Sequence, residues 1–420
     1  MKPLALLLSA IGLGSVAAAR VVTPPAAVPQ SLHIGDWTDW SDERPGPDSA
    51  RVAILLGAMG STDAAVCEML SDQLGNFWFS GGEFGIGRLA DARVAARAAR
   101  DSLSGRLRDP AAIALVTERL ASDDPCVRRT AARLLGRSTA PDAALARLVA
   151  DANPRIREAG LLAVGTHDRP DLRTRVESAL TDREAGVRAM AAWALGSLED
   201  RTSVDALTPV LRDPDVRVRT NAAWALGAIE NPRAVSALLP LLRDGDVGVR
   251  ATTAEALGDI EAIEAAAPIE QLLERDADRR VRFAAIEALG QIESPSSAEP
   301  LARVLEAGDA ELALAAADAL GSLDNLRRAP AALMRAASAP DPRLRRSAID
   351  ALSSIEDPAS ADVLIAAVSD AVPDVRRQAI EALGSMEVVQ ATAAITRALG
   401  DSDPEVRRAA VEALADIEDR

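Results

Sequence analysis

Apolar residues in this chain return in short helical blocks, and the blocks themselves repeat. From Asp215 to Ala228, Val218, Ala222, Ala223 and Leu226 share one side of a helix, and Arg217, Thr220, Asn221 and Trp224 share the other. The block closes on Ala-Leu-Gly or a close relative. Its last position recurs at Gly136, Gly165, Gly196, Gly227, Gly258, Gly290, Gly321, Ser353, Gly384 and Ala415, at intervals of 29, 31, 31, 31, 32, 31, 32, 31 and 31 residues. Such a period predicts stacked units that bury their apolar faces against their neighbours. Within 200–230, Val204 to Leu211 reads as a first helix with Pro209 near its end, and Asp215 to about Ala228 as a second. Gly75 and Gly105 close two degenerate units upstream.

Counting backwards from the Gly position as zero, positions −9, −8, −5, −4 and −1 form the core side. Position −8 is arginine in nine units: Arg128, Arg157, Arg188, Arg219, Arg250, Arg282, Arg345, Arg376 and Arg407, with Ala313 breaking the series. Position −12 is Asp124, Asn153, Glu184, Asp215, Asp246, Asp278, Asp309, Asp341 or Asp403, each placed to cap the free amides of the second helix. Pro125, Pro154, Pro342 and Pro404 follow the cap, where a missing N–H costs nothing.

The run Asp-Pro-x-Val-Arg-x-x-Ala-Ala-x-Ala-Leu-Gly resembles the HEAT repeat family, and is most similar to the short HEAT-like units of phycobilin lyases. The resemblance spans most of the chain. It implies an all-α, right-handed α-α superhelix, a HEAT/armadillo-like solenoid of about twelve two-helix repeats. It also implies that the −8 arginines pair with loop aspartates in a ladder between repeats, and that the second helices, as the inner row, line a concave face. Position −3 on that face reads Arg133, Leu162, Trp193, Trp224, Glu255, Glu287, Asp318, Asp350, Glu381 and Glu412. Trp193 and Trp224, with Met190, Arg217, Asn221 and Phe283, are candidates for a partner-binding patch together with Glu255 and Glu287; alternatively the indoles lie flat over an Ala-rich floor. The six carboxylates from Glu255 to Glu412 form a stripe. Arg346, Arg377 and Arg408, one turn away, are placed to neutralise it; recognition of a basic partner is the other reading.

Composition adds compartment and exclusions. Aromatic residues make up 2% and Tyr is absent, so the core must be filled by close packing of small aliphatic side chains. Lys occurs once, at Lys2, against a majority of arginine, a bias associated with GC-rich bacterial genomes. A net charge of −16 without a basic stripe argues against nucleic acid and anionic membranes as partners. Residues 1–19 read as a signal peptide, with Lys2 before an uncharged run and a small-residue cleavage site at Ala17-Ala18-Ala19. A periplasmic or secreted mature chain with no direct membrane binding follows. Residues 20–49, with Pro24, Pro25, Pro29, Pro45 and Pro47, read as a linker carrying Trp37 and Trp40. Residues 50–109 read as degenerate capping repeats interrupted by an irregular insertion at 76–87, and 110–420 as the regular array.

Catalytic chemistry finds no foothold. His33 falls in the linker and His167 in an inter-repeat turn, poor places for an oriented base, and HEAT-like di-iron hydroxylases need several His-Glu pairs. The glycine-rich run Gly81 to Gly87 lacks a preceding strand and reads as a loop. Two cysteines in an exported chain suggest a Cys67–Cys126 disulfide, while two interaxial steps in an ideal stack would hold them roughly 20 Å apart. The expectation is a non-enzymatic scaffold or adaptor without a cofactor, offering its groove to a protein or peptide. A lyase or chaperone-like factor for a cofactor or chromophore, and a purely structural module of an envelope complex, are the alternatives.

Overall fold

The computed structural model describes residues 46–60, 106–166, 169–323 and 326–418, all within one compact unit. The signal segment 1–19, the linker to residue 45, the insertion 76–87, Trp37, Trp40, His33, His167 and Cys67 lie outside the described residues.

The described residues form an all-α superhelix. Apart from one isolated parallel bridge, Leu107 with Ser138, they hold no β pairing. Ten inner helices run in order: α1 Pro125–Gly136, α2 Pro154–Gly165, α3 Ala185–Ser197, α4 Val216–Ala228, α5 Val247–Asp259, α6 Arg279–Ile292, α7 Ala310–Ser322, α8 Pro342–Ile355, α9 Pro373–Ser385 and α10 Pro404–Glu418. Each packs on the next and on a shorter outer helix of its own repeat. At the −9 and −1 positions Val218, Leu226, Val249 and Leu257 are fully buried, while Ile156, Leu344 and Leu414 are half-buried. Upstream, helix Ser49–Met59 packs on Pro110–Arg119 and on α1, and the Ser49 N–H donates to Asp109 Oδ2 at 2.9 Å.

Proline decides the form of the outer helices. The expected helix Val204 to Leu211 is α-helical only over Val204–Leu207. It continues as a 3₁₀ turn, Thr208–Arg212, because Pro209 cannot donate within the helix. Pro240 has the same effect in the next repeat. Pro268, in a first turn, leaves Ala266–Arg275 continuous.

Caps follow the −12 series, with corrections. Asp124, Asn153, Asp215, Asp246, Asp278, Asp309, Asp341 and Asp403 accept from first-turn amides; Glu184, one methylene longer, makes no such bond. At the other end the chain turns through a left-handed glutamate. Glu199, Glu230, Glu261, Glu293, Glu356 and Glu387, three residues past the Gly position, have φ between 49° and 56°. The N–H of Ala262 then reaches back to Leu257 O at 3.1 Å, and that of Val388 to Leu383 O at 3.0 Å, in the Schellman pattern.

The Gly position itself is where consecutive inner helices meet. A Cβ on Gly196 would lie 2.6 Å from Ala225 Cα, and one on Gly227 2.7 Å from Ala256 Cα. The facing residue is the −2 alanine of the next repeat, so −2 joins the core side.

The ladder forms, with its carboxylate at −14. Arg188 donates from Nε and Nη2 to Asp213 at 2.7 and 2.9 Å, and Arg219 in the same way to Asp244 at 2.8 and 2.9 Å. Arg157–Asp182, Arg250–Asp276, Arg345–Asp370 and Arg376–Asp401 repeat the pair. Nη1 of Arg219 also donates to Asp213 O and Pro214 O, at 2.9 and 3.3 Å, and Asp244 accepts the Asp246 N–H at 2.9 Å. Each clamp thus ties two repeats and their loops together. Three −8 arginines depart from this arrangement. Among the described residues Arg128 and Arg407 bond loop carbonyls but form no ion pair, and the −14 position in the repeat after Arg282 is Ala307 rather than aspartate.

Candidate interaction surface

The inner helices place one −3 side chain per repeat along a common wall. Trp193 on α3 and Trp224 on α4 stack with ring centroids 6.4 Å apart and planes inclined by 12°. Helix axes in contact are about 8–10 Å apart, so equivalent side chains this close mark the inner side of a curved stack. The rings are half-buried rather than fully exposed. They lean back over the preceding repeat, where a Cβ on Gly165 would meet Trp193 Cζ3 at 2.6 Å and one on Gly196 would meet Trp224 Cζ3 at 2.7 Å. The indoles thus cover the floor and still present part of their surface to solvent.

The neighbours complete this patch. Met190 is half-buried against the core. Asn221 Nδ2 donates to Ala189 O at 2.8 Å, pinning α4 to α3 across the groove. Arg217 is exposed and paired with its own Asp215 at 3.0 Å. Phe283 on α6 is 41% exposed. Positions −6 and −7 lie on the side of the helix opposite the core, yet Ala189, Ala284 and Ala315 there are buried.

Beyond Trp224 the wall turns acidic. Glu255, Asp259 and Glu287 touch solvent, yet burial holds all three carboxyls above their usual range. The charges of Asp259 and Glu287 add to the effect at Glu255, Glu230 at Asp259, and Asp318 at Glu287; the Gln291 amide, 3.3 Å from Asp259, partly offsets it there. Among the described residues none of the three forms an ion pair. Neutralisation comes only toward the C-terminal end, where Arg377 bonds Glu381 at 2.8 Å and Arg408 approaches Glu412 at 3.8 Å. Arg346 does not pair with Asp350, which accepts from Gln378 at 2.8 Å instead.

Asp259, at +1, is the wall residue that the −3 series overlooks; its spacing from Glu255 by four residues on one helix was the available signal. Cys126 is disulfide-bonded, and its expected partner Cys67 lies outside the described residues. Among the described residues no group of three or more His, Cys, Asp or Glu could hold a metal ion, and no helix is long and apolar enough to cross a membrane.

A family model described as HEAT repeats matches residues 141–216, 173–250, 235–321, 298–384 and 363–420, well over half of the chain. No curated protein sequence matches. Among solved structures, an engineered protein is similar at 22% identity, covering 88% of this chain and 99% of its own, with a TM-score of 0.46. The complex of CpcE and CpcF of phycocyanin lyase from Nostoc sp. PCC7120 is similar at 23% identity over 59% of this chain and 94% of that one, TM-score 0.35. Kap95p, from a structure with RanGDP, is similar at 13% identity over 88% of this chain and 52% of its own, TM-score 0.47.

Proposed function

Because the chain belongs to the HEAT repeat family, we propose that it is an exported, non-enzymatic scaffold that holds an extended protein or peptide partner along its inner helices. The observation carrying this is the stacked Trp193–Trp224 pair on a wall of equivalent positions, since large aromatic surface beside a polar rim is where binding energy concentrates. The carboxylates of Glu255, Asp259 and Glu287, without cationic partners, favour a partner segment that carries positive charge. Export rests on residues 1–19, and a mature chain beginning at Arg20 in the envelope fraction is the expected product.

The partial burial of both indoles over Gly165 and Gly196 favours a second reading, a structural module with no dedicated groove. Crosslinking in the native envelope followed by mass spectrometry separates the two. Trp193→Ala with Trp224→Ala should lose a specific partner while the helical signal persists. A double variant that keeps every partner removes the groove.

A further inference from the structure

We propose that the array carries a built-in joint at α7, where it bends between two stiffer spans. The clamp between repeats is present at four successive junctions, Arg157–Asp182 to Arg250–Asp276, and again at Arg345–Asp370 and Arg376–Asp401. It is missing at the two junctions between. From α6 to α7, Ala307 stands at the −14 position where an aspartate would meet Arg282; from α7 to α8, Ala313 and Ala339 replace both partners.

Helix packing is also less tight at the first of them. A Cβ on Gly196, Gly227, Gly258 or Gly384 would lie 2.6, 2.7, 2.9 or 2.8 Å from the Cα of the facing alanine. On Gly290 the corresponding distance is 3.2 Å, while Gly321 gives 3.0 Å, as does Gly165 at a clamped junction. Gly308, in the loop before α7, adopts φ +86°, and α7 ends in the extended Leu323.

What bridges these junctions is exposed. Arg279 pairs with Asp309 at 2.8 Å with 55% and 32% of the side chains accessible, and Arg343 with Glu311 at 3.1 Å with 58% and 54%. Arg303 with Glu274 and Arg335 with Glu306 add exposed pairs between outer helices. Exposed pairs constrain geometry weakly, whereas a half-buried bidentate clamp fixes it. The core itself continues: Leu312, Ala316, Ala317 and Leu320 are fully buried. Bending at α7 therefore needs no unfolding. It changes the angle between the wall carrying Trp193 to Glu287 and the wall carrying Asp350 to Glu412, so one groove can close on partners of different girth.

Double electron–electron resonance on the full mature chain tests this, with spin labels in matched positions six residues past the Gly position. Cys126 is held in a disulfide and does not take the label. Arg233→Cys with Ser296→Cys spans two clamped junctions, and Ser296→Cys with Ala359→Cys spans the two without clamps. The second distance distribution should be at least about twofold wider. Removing Arg219 and Arg250 together by substitution with Ala should widen the first pair to match. Equal widths in the unaltered background overturn the joint. So does a first pair that stays narrow without its clamps while circular dichroism shows the fold retained.

Discussion

Replacing Arg219 by methionine isolates the worth of one clamp, because Arg282 offers the same position without a carboxylate. Arg219 gives two charge-assisted bonds to Asp244 and two more to loop carbonyls, with 16% and 14% of the paired side chains accessible. Methionine keeps the aliphatic stem, so the loss is of polar contacts. It leaves Asp244 half-buried with only the Asp246 amide. Breaking a fully buried pair costs about 3–5 kcal/mol, and the residual solvent access lowers this to about 2–4 kcal/mol. Arg282→Met removes no ion pair and should cost less than about 1 kcal/mol. In a solenoid the damage falls on one interface, so urea unfolding followed by ellipticity should broaden or split for Arg219→Met alone. Fluorescence from the nearby Trp193–Trp224 pair should report the early phase. Equal destabilisation by the two variants would refute the assignment of stability to the clamp.

Acid should act on the array in two opposite ways. Arg188, Arg250 and Arg376 hold Asp213, Asp276 and Asp401 below the usual carboxylate range; at Asp182, Asp244 and Asp370 burial pushes the other way but the arginine bonds outweigh it. That stabilisation is complete above the unfolded value of about 3.9 and is lost as pH falls through the lower folded values. Exposed Asp309, held at about 2 by Arg279, adds a smaller share in the same direction. Glu255, Asp259 and Glu287 bind protons more readily folded than unfolded, so their cost is present at neutral pH and eases as pH approaches 4–5. Thermal melts from pH 7 to 3 should rise slightly and then fall steeply, and Glu255→Gln with Asp259→Asn should raise the neutral value and flatten the rise. Gly227→Ala should cost about 1–3 kcal/mol, because its methyl meets the α5 backbone, whereas Gly245→Ala, in open space, should shift the urea midpoint little. Glu230→Gly should stabilise by about 0.5–1 kcal/mol in the same assay, by relieving a left-handed non-glycine residue; no gain would mean that the turn is unstrained.

The repeat register, the caps and the arginine row were legible because each is a one-dimensional pattern with a local cause. Asp215 caps its own helix, and nothing distant is needed to see it. The clamp's acceptor was harder to identify, since Asp213 and Asp215 stand two residues apart and the cap is the more familiar role. Gly227 looked like a helix-end signal; only the neighbouring helix shows that it marks a close approach to Ala256. The left-handed turns stayed hidden because glutamate is a poor marker of positive φ, and glycine or asparagine would have announced them. For Trp193 and Trp224, helical geometry gave the face but not the lean of a long ring over the preceding glycine. The acidic stripe divided in the same way: Arg377 and Glu381 share a helix and pair as expected, while the isolation of Glu255 depends on what adjacent helices fail to supply.

The Gly–Ala contact between successive inner helices separates what this molecule must conserve from what it can change. Where a Cβ would fall within 3 Å of the facing backbone, as at Gly196, Gly227 and Gly384, a substitution must shift the neighbouring helix. The exposed −3 carboxylates from Glu255 to Asp350 carry less of that burden than Trp193 and Trp224, which cover it. Exchanging one such residue per repeat would rewrite the trough's chemistry in steps of a single rung, so this architecture can be readdressed to a new ligand without being rebuilt.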